Sequence, residues 1–204
     1  MPFDFSDLSE PFEFSPRRHG DARGFFVESF RAEWFAGTSA ETRFVQENHV
    51  RSNRSSVIRG MHSQTGTFTQ AKLVRALAGK ILDVAVDIRA GSPNIARPRY
   101  FEISADSGNQ LFVPHGFLHG YFTLTETTEI LYKVDNYYNP ESEISVRWDD
   151  PQLGIEWPLD MATPELSEKD SNAPLFGETP ELFRYRRDST PFKVEYLPSR
   201  GLVR

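Results

Sequence analysis

The sequence predicts an all-β protein built as a sandwich or a barrel of short strands. Apolar and polar residues alternate over short segments, and these segments recur at intervals of roughly 8–12 residues. Helical stretches are few, and no part of the chain alternates strands with helices as a parallel sheet would require. A length of 204 residues suits one domain of this kind.

The clearest strand covers residues 82–88, where Leu82, Val84, Val86 and Ile88 share one face. A turn follows at Gly91-Ser92-Pro93-Asn94. Further short strands are predicted at residues 100–104, 110–113, 120–124, 129–134 and 144–148. Helical structure is predicted only at residues 31–35 and in a turn near residues 165–170.

We predict a single domain over residues 1–204, with residues 184–204 as a basic C-terminal extension packed on the domain or on a partner. This extension has two acidic residues, Asp188 and Glu195. Its six basic residues are Arg184, Arg186, Arg187, Lys193, Arg200 and Arg204.

Composition excludes several classes of function. The net charge of −6 argues against general affinity for nucleic acid or an anionic membrane, although a local basic pocket for phosphates is compatible with it. Cysteine is absent, so disulfides and thiolate metal sites are excluded. The acidic N-terminus does not resemble a signal peptide, and no apolar run approaches the roughly 20 residues of a membrane span. We expect a soluble cytoplasmic protein with a core rich in its 17 Phe and 7 Tyr.

The stretch from Arg59 to Arg75 carries the strongest chemical signal. His62 follows Arg59-Gly60-Met61, and Lys72 lies ten residues further on. A histidine base and a lysine that holds an oxyanion are what proton abstraction next to a carbonyl requires. Leu73 and Val74 are consecutive apolar residues, so this strand is predicted to be covered on both sides, with Lys72 paired inside the barrel.

From the residues alone, two other polar residues are open to two interpretations, and a third is ordinary. His119 lies between Gly116 and Gly120 and is either a packed histidine or a substrate contact. Tyr132, in an apolar strand, is either a core aromatic or a functional group. Asp170 in a polar turn is ordinarily a helix cap.

A metal-dependent enzyme is the obvious rival, because small β-barrels often hold iron, manganese or zinc through histidines and a carboxylate. The usual His-x-His pair is missing, since Gln64 stands two residues after His62. His115 and His119 have helical spacing, but the surrounding Pro and Gly disfavour a helix. We therefore predict no metal ligands.

Residues 21–28 combine a cation, aromatic rings and a carboxylate. Arg23 and Arg59 could clamp a diphosphate, Phe26 could stack on a base, and Glu28 could accept hydrogen bonds from it. The alternative is an ordinary strand with a surface ion pair.

In order along the chain, these segments resemble the dTDP-4-dehydrorhamnose 3,5-epimerase family from about Phe12 to Pro174. The N-terminal motifs are Asp21-x-Arg23-Gly24-x-Phe26-x-Glu28, Phe44-Val45-Gln46-x-Asn48, Arg59-Gly60-Met61-His62-x-Gln64 and Gln70-x-Lys72-Leu73-Val74-Arg75. The C-terminal ones include Gly116-Phe117-x-His119-Gly120, Leu131-Tyr132-Lys133, Tyr137-Tyr138-x-Pro140 and Ser167-x-Lys169-Asp170. Each motif alone is weak evidence for the family, whereas all of them in this order are strong evidence.

The resemblance implies a cupin-type double-stranded β-helix, that is, a jelly-roll barrel with few short helices. It also implies a homodimer, no metal and no cofactor. The implied substrate is a nucleoside-diphosphate 4-keto-6-deoxy sugar. His62 is implied as the base and Asp170 as its orienting partner, with Lys72 on the enolate oxygen and Tyr132 as the acid on the opposite face.

The same resemblance implies the groups that bind substrate. It assigns Arg23 and Arg59 to the phosphates, with the segment from Arg23 to Glu28 reaching across to the partner subunit. The remaining implied contacts with nucleotide and sugar are Phe26, Glu28, Gln46, Asn48, His119 and Tyr138.

Departures from the family pattern leave alternatives open. Ser63 replaces an aromatic residue after the histidine, residues 65–69 lack a Pro-Pro loop, and His115 stands where a smaller residue, proline or a carboxylate is expected. They leave open which sugar is bound and whether the enzyme acts only at C3 or only at C5. Separate alternatives are a ketoisomerase, a non-catalytic sugar-nucleotide module and a metal-dependent cupin, the last suggested by the five histidines.

Overall fold

The computed structural model describes residues 9–35, 43–159 and 163–185, together with the backbone of residues 195–196. Most regular structure in these residues is β-strand, as predicted. The strands are β1 Phe12–Phe14, β2 Arg18–Asp21, β3 Gly24–Val27, β4 Gln46–Ser52, β5 Ile58–Gln64, β6 Lys72–Ala78, β7 Lys80–Asp87, β8 Arg89–Ala90, β9 Pro98–Ser104, β10 Gln110–Val113, β11 Phe117–Thr123, β12 Thr128–Val134, β13 Glu143–Ser145, β14 Phe183–Arg184 and β15 Glu195–Tyr196. One α-helix, α1, covers Glu168–Ser171, and 3₁₀ turns cover Ala32–Phe35, Gly66–Phe68, Pro140–Ser142 and Phe176–Glu178.

Two antiparallel five-stranded sheets form a cupin-type barrel, which confirms the predicted fold class. The strand order is β1-β10-β6-β12-β4 in the first sheet and β13-β5-β11-β7-β9 in the second. Their inner faces share one apolar cluster, to which Val74 and Ile130 contribute from the first sheet and Ile81 and Ala85 from the second. This shared core fixes the distance between the sheets.

Both sheets are also covered on their outer faces. Val84 and Val86 pack with Met61 and Leu118 outside the second sheet, and Leu73 packs with an aromatic group outside the first. The predicted cover on both sides of the Lys72 strand is therefore confirmed. The alternation at residues 82–88 predicted one apolar face, but the opposite face of β7 is equally buried.

The other predicted elements are found with small differences in length. Strands β9, β10, β11 and β12 cover the four segments predicted between residues 100 and 134. The strand predicted at residues 144–148 is only Glu143–Ser145, and the predicted helical segments are the 3₁₀ turn Ala32–Phe35 and helix α1. None of the described helices is long and apolar enough to cross a membrane.

The predicted extension begins on the barrel. β14 pairs in parallel with β8 and antiparallel with β15. The other extension residues, apart from Tyr185, lie outside the described part of the chain, so the single-domain assignment with its extension stays a prediction.

A contact between two glycines brings β5 and β11 close together. A Cβ atom on Gly60 would lie 2.5 Å from the Cα of Gly120, and Gly60 has a φ of +127°. Only glycine fits both the space and the backbone conformation. This close approach pairs His62 directly with His119 in the register of the two strands.

Candidate active site

The inner face of the first sheet supplies a row of polar side chains. In the register of β6, β12 and β4, Tyr132 lies between Val74 and Asn48, while Val134 lies between Lys72 and Gln46. Because cross-strand partners share a face and residues two apart point the same way, all these side chains project inward. The apolar ones join the core, and Lys72, Tyr132, Asn48 and Gln46 border a cavity.

This cavity has a volume of about 320 Å³ and opens between the two sheets. Six of the twelve residues predicted for catalysis or binding line it. Its lining residues are Gln46, Asn48, His62, Ser63, Gln64, Gln70, Lys72, Tyr132, Tyr138 and Glu143.

His62 on β5 is held from behind by Asp170. Its Nε2 lies 2.6 Å from Oδ1 of Asp170, whose side chain is only 4% exposed. Ser167 caps α1 by accepting the backbone N–H of Asp170, and this cap fixes the carboxylate. Burial acts to raise the pKa of Asp170, but the hydrogen bond and charge of His62, together with hydrogen bonds from Ser167 and Gly60, outweigh it, so the pKa lies below its usual value. The ionised carboxylate accepts Nε2–H, so Nδ1 of His62 carries the lone pair.

Lys72 is supported by a buried chain of two further residues. Its Nζ lies 3.4 Å from Nδ1 of His119, and Nε2 of His119 lies 3.0 Å from Oδ2 of the fully buried Asp83. Burial lowers the pKa of Lys72 to about 8, while Asp83 and Glu143 act in the opposite direction. Burial likewise lowers the pKa of His119 below its ordinary value. His119 therefore lies behind Lys72, and it is not among the side chains that line the cavity.

Tyr132 faces the cavity from the opposite sheet to His62. Burial raises the pKa of Tyr132 above its usual value, and so does the charge of Glu143, although Arg59 and the hydrogen bond with Asn48 oppose this. The hydroxyl is therefore neutral and can give up a proton. Arg59 of β5 reaches the first sheet, where its Nε and Nη2 each lie 3.4 Å from Oγ of Ser52 on β4.

Glu143 is a cavity residue that the sequence analysis missed. Its Oε2 accepts a 2.7 Å hydrogen bond from the Tyr138 hydroxyl and lies 2.5 Å from Nζ of Lys169, while Oε1 is 4.0 Å from Nδ1 of His62. Burial acts to raise the pKa of Glu143, but the hydrogen bonds from Lys169 and Tyr138, together with the charges of His62 and Lys169, outweigh it, and the pKa lies below its ordinary value. A second carboxylate thus faces His62.

The predicted contacts from residues 23–28 lie elsewhere in the chain. They are on the β2–β3 hairpin, whose strands, within the described part of the chain, pair only with each other. Arg23 is 89% exposed and paired with Asp21, whereas Glu28 is paired with Arg31. Phe26 and Glu28 line a separate cavity of about 530 Å³. Within one subunit, these residues do not meet His62.

His115 is paired with the carboxylate of Asp135. Nε2 of His115 lies 2.7 Å from Oδ2 of Asp135, whose Oδ1 accepts the backbone N–H of Ala71 at 2.6 Å. Across the described residues, no group of three or more His, Asp or Glu is placed to hold a metal ion.

Signals for the missed groups were unequal. Asp83 lies in a strand that is apolar on both faces, and a charge in such a strand needs an internal partner. Glu143, in a polar segment beside Glu141, carried no comparable signal.

The fold and this cavity define the protein as a cupin-type β-barrel equipped for proton transfer between opposing faces. The model of the family described as dTDP-4-dehydrorhamnose 3,5-epimerase matches residues 6–178. The chain belongs to this family of epimerases, which are isomerases.

Relatives from several organisms agree with this assignment. The dTDP-4-dehydrorhamnose 3,5-epimerase of Sinorhizobium fredii is 44% identical over 185 residues, covering 91% of this chain and 94% of the relative. The dTDP-6-deoxy-D-glucose-3,5-epimerase RmlC from Legionella pneumophila, solved with dTDP-4-keto-L-rhamnose, has a TM-score of 0.80 and 42% identity, covering 86% of this chain and 94% of that chain. ChmJ, a 3′-monoepimerase from Streptomyces bikiniensis solved with dTDP-quinovose, has a TM-score of 0.76 and 33% identity, covering 82% of this chain and 84% of that chain.

Proposed function

We propose that the protein inverts C3 and C5 of dTDP-4-dehydro-6-deoxy-D-glucose and so produces dTDP-4-dehydro-L-rhamnose. One observation carries the proposal: a carboxylate-bound histidine and a neutral tyrosine face the same cavity from opposing sheets. An inverting centre needs a base on one side and an acid on the other. The C4 carbonyl of such a substrate acidifies the protons on both neighbouring carbons.

His62 is the proposed base. Asp170 holds Nε2–H, so Nδ1 is the free nitrogen that can take the proton from carbon. The ionised Asp170 then stabilises the imidazolium that forms, without itself taking the proton.

Lys72 is the proposed electrophile. As the carbon loses its proton, negative charge moves to the C4 oxygen, and an ammonium group beside that oxygen stabilises the enolate. With a pKa of about 8, Lys72 is mostly protonated at neutral pH. We propose that His119, itself held by Asp83, positions Lys72, which replaces the direct sugar contact predicted from the sequence.

Tyr132 is the proposed acid. It gives its hydroxyl proton to the opposite face of the enolate and inverts the carbon. Because burial raises its pKa, the phenolate left behind is a strong base that readily takes a proton back.

The proposed binding groups fall into two sets. Gln46, Asn48 and Tyr138 line the cavity and would contact sugar and nucleotide, with Arg59 on the phosphates. Arg23, Phe26 and Glu28 would come from the partner subunit of a homodimer. Their exposure on a hairpin supports this, since Phe26 is 70% exposed and presents a bare ring for stacking. We further propose a cytoplasmic location.

Deuterium incorporation tests the proposed function. The protein is mixed in deuterium oxide with dTDP-4-keto-6-deoxyglucose, and NMR follows label at C3 and C5. We expect label at both carbons and the appearance of the L-rhamno product. Absence of label above an enzyme-free control, with folded protein present, rejects the proposal.

Inversion at a single carbon is the second candidate. Its support is the similarity to the 3′-monoepimerase ChmJ and the position of Ser63, which lines the cavity where the family pattern has an aromatic side chain. Label and inversion confined to one carbon would favour it. Movement of the carbonyl to another carbon would instead indicate a ketoisomerase.

A further inference from the structure

An epimerase that inverts two carbons must reset its proton-transfer groups between the two events. This inference rests on the proposed function. After one inversion, His62 holds the proton taken from carbon, and Tyr132 has lost the proton that it gave. The second inversion requires a neutral His62 and a protonated Tyr132 again.

Glu143 lies where a proton could pass between these groups. Strand β13 pairs with β5 so that Glu143 is opposite Gln64 and Ser145 is opposite His62. This register places the Glu143 carboxylate at the cavity, with Oε1 4.0 Å from Nδ1 of His62. Nδ1 is the nitrogen that Asp170 leaves free.

The other oxygen of Glu143 faces the tyrosine side of the cavity. Oε2 accepts the Tyr138 hydroxyl at 2.7 Å, and Tyr138 and Tyr132 line the same cavity. Lys169 at 2.5 Å holds the carboxylate in place. The Glu143 side chain is only 14% exposed, which limits the access of bulk water.

We propose that Glu143 returns the proton from His62 to Tyr132 by way of the Tyr138 hydroxyl, and so resets both groups after each inversion. The N–H bond at Nδ1 of His62 breaks and an O–H bond forms at Oε1 of Glu143; the neutral carboxyl group then turns so that this O–H points to the Tyr138 oxygen. Tyr138 gives its hydroxyl proton to the phenolate of Tyr132 and takes the proton from Glu143. All four groups end in their starting protonation states, and no other reactant is consumed.

Two features of the geometry define how this transfer works. A separation of 4.0 Å exceeds a hydrogen bond, so one bridging water or a side-chain shift of about 1 Å completes the first step. Tyr138 is 49% exposed, so the carried proton exchanges with solvent. Deuterium therefore still enters at both carbons in deuterium oxide.

A rapid-quench measurement separates this role from a purely structural one. Stoichiometric enzyme and substrate are mixed in deuterium oxide, and the first labelling event is timed against later ones. In Glu143→Gln, a neutral amide cannot carry the proton, so we expect a first event within about threefold of wild type and later events slower by at least about 10-fold. Glu141→Gln on the neighbouring exposed turn is the matched control and should match wild type at every stage.

A second variant covers the case in which Glu143→Gln fails to fold. Tyr138→Phe keeps the ring and removes the hydroxyl, and we expect the same fall in the ratio of later to first events. Equal slowing of first and later events in these variants, or unchanged later events, overturns the proposal. A wild-type enzyme that incorporates no label rejects the proposed function instead. If the wild type labels only one carbon, the later event is the second turnover, and the same comparison applies.

Discussion

Nε2 of His62 lies 2.6 Å from Oδ1 of Asp170, although 108 residues separate the two in the chain. The capped turn of α1 brings the carboxylate to the back of β5. This contact sets which nitrogen of His62 is free. A change at Asp170 should therefore act on the chemistry through the histidine and leave the cavity lining unchanged.

Asp170→Asn tests this relationship. The amide can donate to Nε2 and so favours the wrong tautomer, with the proton on Nδ1. We expect kcat to fall at least about 100-fold with a smaller change in KM. Asp149→Asn, at a surface pair with Arg147, is the matched control. Equal activity in both variants would remove Asp170 from its positioning role.

The pH dependence of kcat/KM should report Lys72. Burial brings the pKa of this ammonium down to about 8, so its charge is present below that pH and is lost as pH rises through it. We expect an alkaline fall in activity with a midpoint near 8. Tyr132 does not account for a fall there, because its pKa lies above the ordinary tyrosine value. Residual activity of Lys72→Met should lack this alkaline limb, and an unchanged limb in that variant contradicts the assignment.

Mixing two inactive variants tests whether the hairpin serves the partner subunit. His62→Asn disables the cavity of its own subunit, and Arg23→Ala disables the hairpin. In a mixed dimer with shared sites, one site receives an intact cavity and an intact hairpin. Coexpression should therefore restore about one quarter of wild-type specific activity. No recovery of activity would indicate sites built within single subunits. A monomeric mass in light scattering would also contradict the shared site.

Gly60→Ala should destabilise the barrel, although residue 60 brings only its backbone to the site, through a hydrogen bond with Asp170. The new Cβ would lie 2.5 Å from the Cα of Gly120 and would force a side chain onto a φ of +127°. We expect a loss of about 3 kcal/mol or more in the free energy of unfolding, measured with urea. Gly177→Ala, where the nearest atom is 3.5 Å away, is the control. A similar unfolding midpoint for both variants would contradict the packing argument.

Short-range patterns in the sequence were enough to predict the strands and the all-β class. Alternation marks a strand, and the paired apolar residues Leu73 and Val74 correctly indicated cover on both sides. Long-range pairing was beyond such patterns. No local signal joins His62 to Asp170, and only the family resemblance suggested that contact.

The misjudged positions have physical reasons. His119 was expected at the substrate, but both ring nitrogens face protein groups, Lys72 and Asp83. Glu143 was missed because a glutamate in a polar segment is ordinarily solvated, and its position at the cavity depends on the pairing of β13 with β5. The hairpin residues near Arg23 lie away from the cavity within one subunit, and their predicted reach to the partner subunit stays a prediction.

The stereochemical fate of the label tests the central claim most directly, namely that base and acid act from opposite faces. Tyr132→Phe and His62→Asn are compared with wild type in deuterium oxide, with Tyr100→Phe as a surface control. We predict that Tyr132→Phe exchanges label with retention of configuration, because His62 can still remove and return a proton on its own face. Inverted product should fall at least about 100-fold in that variant, and His62→Asn should show no exchange. Inverted product at the wild-type rate in Tyr132→Phe, or undiminished exchange in His62→Asn, would contradict the account.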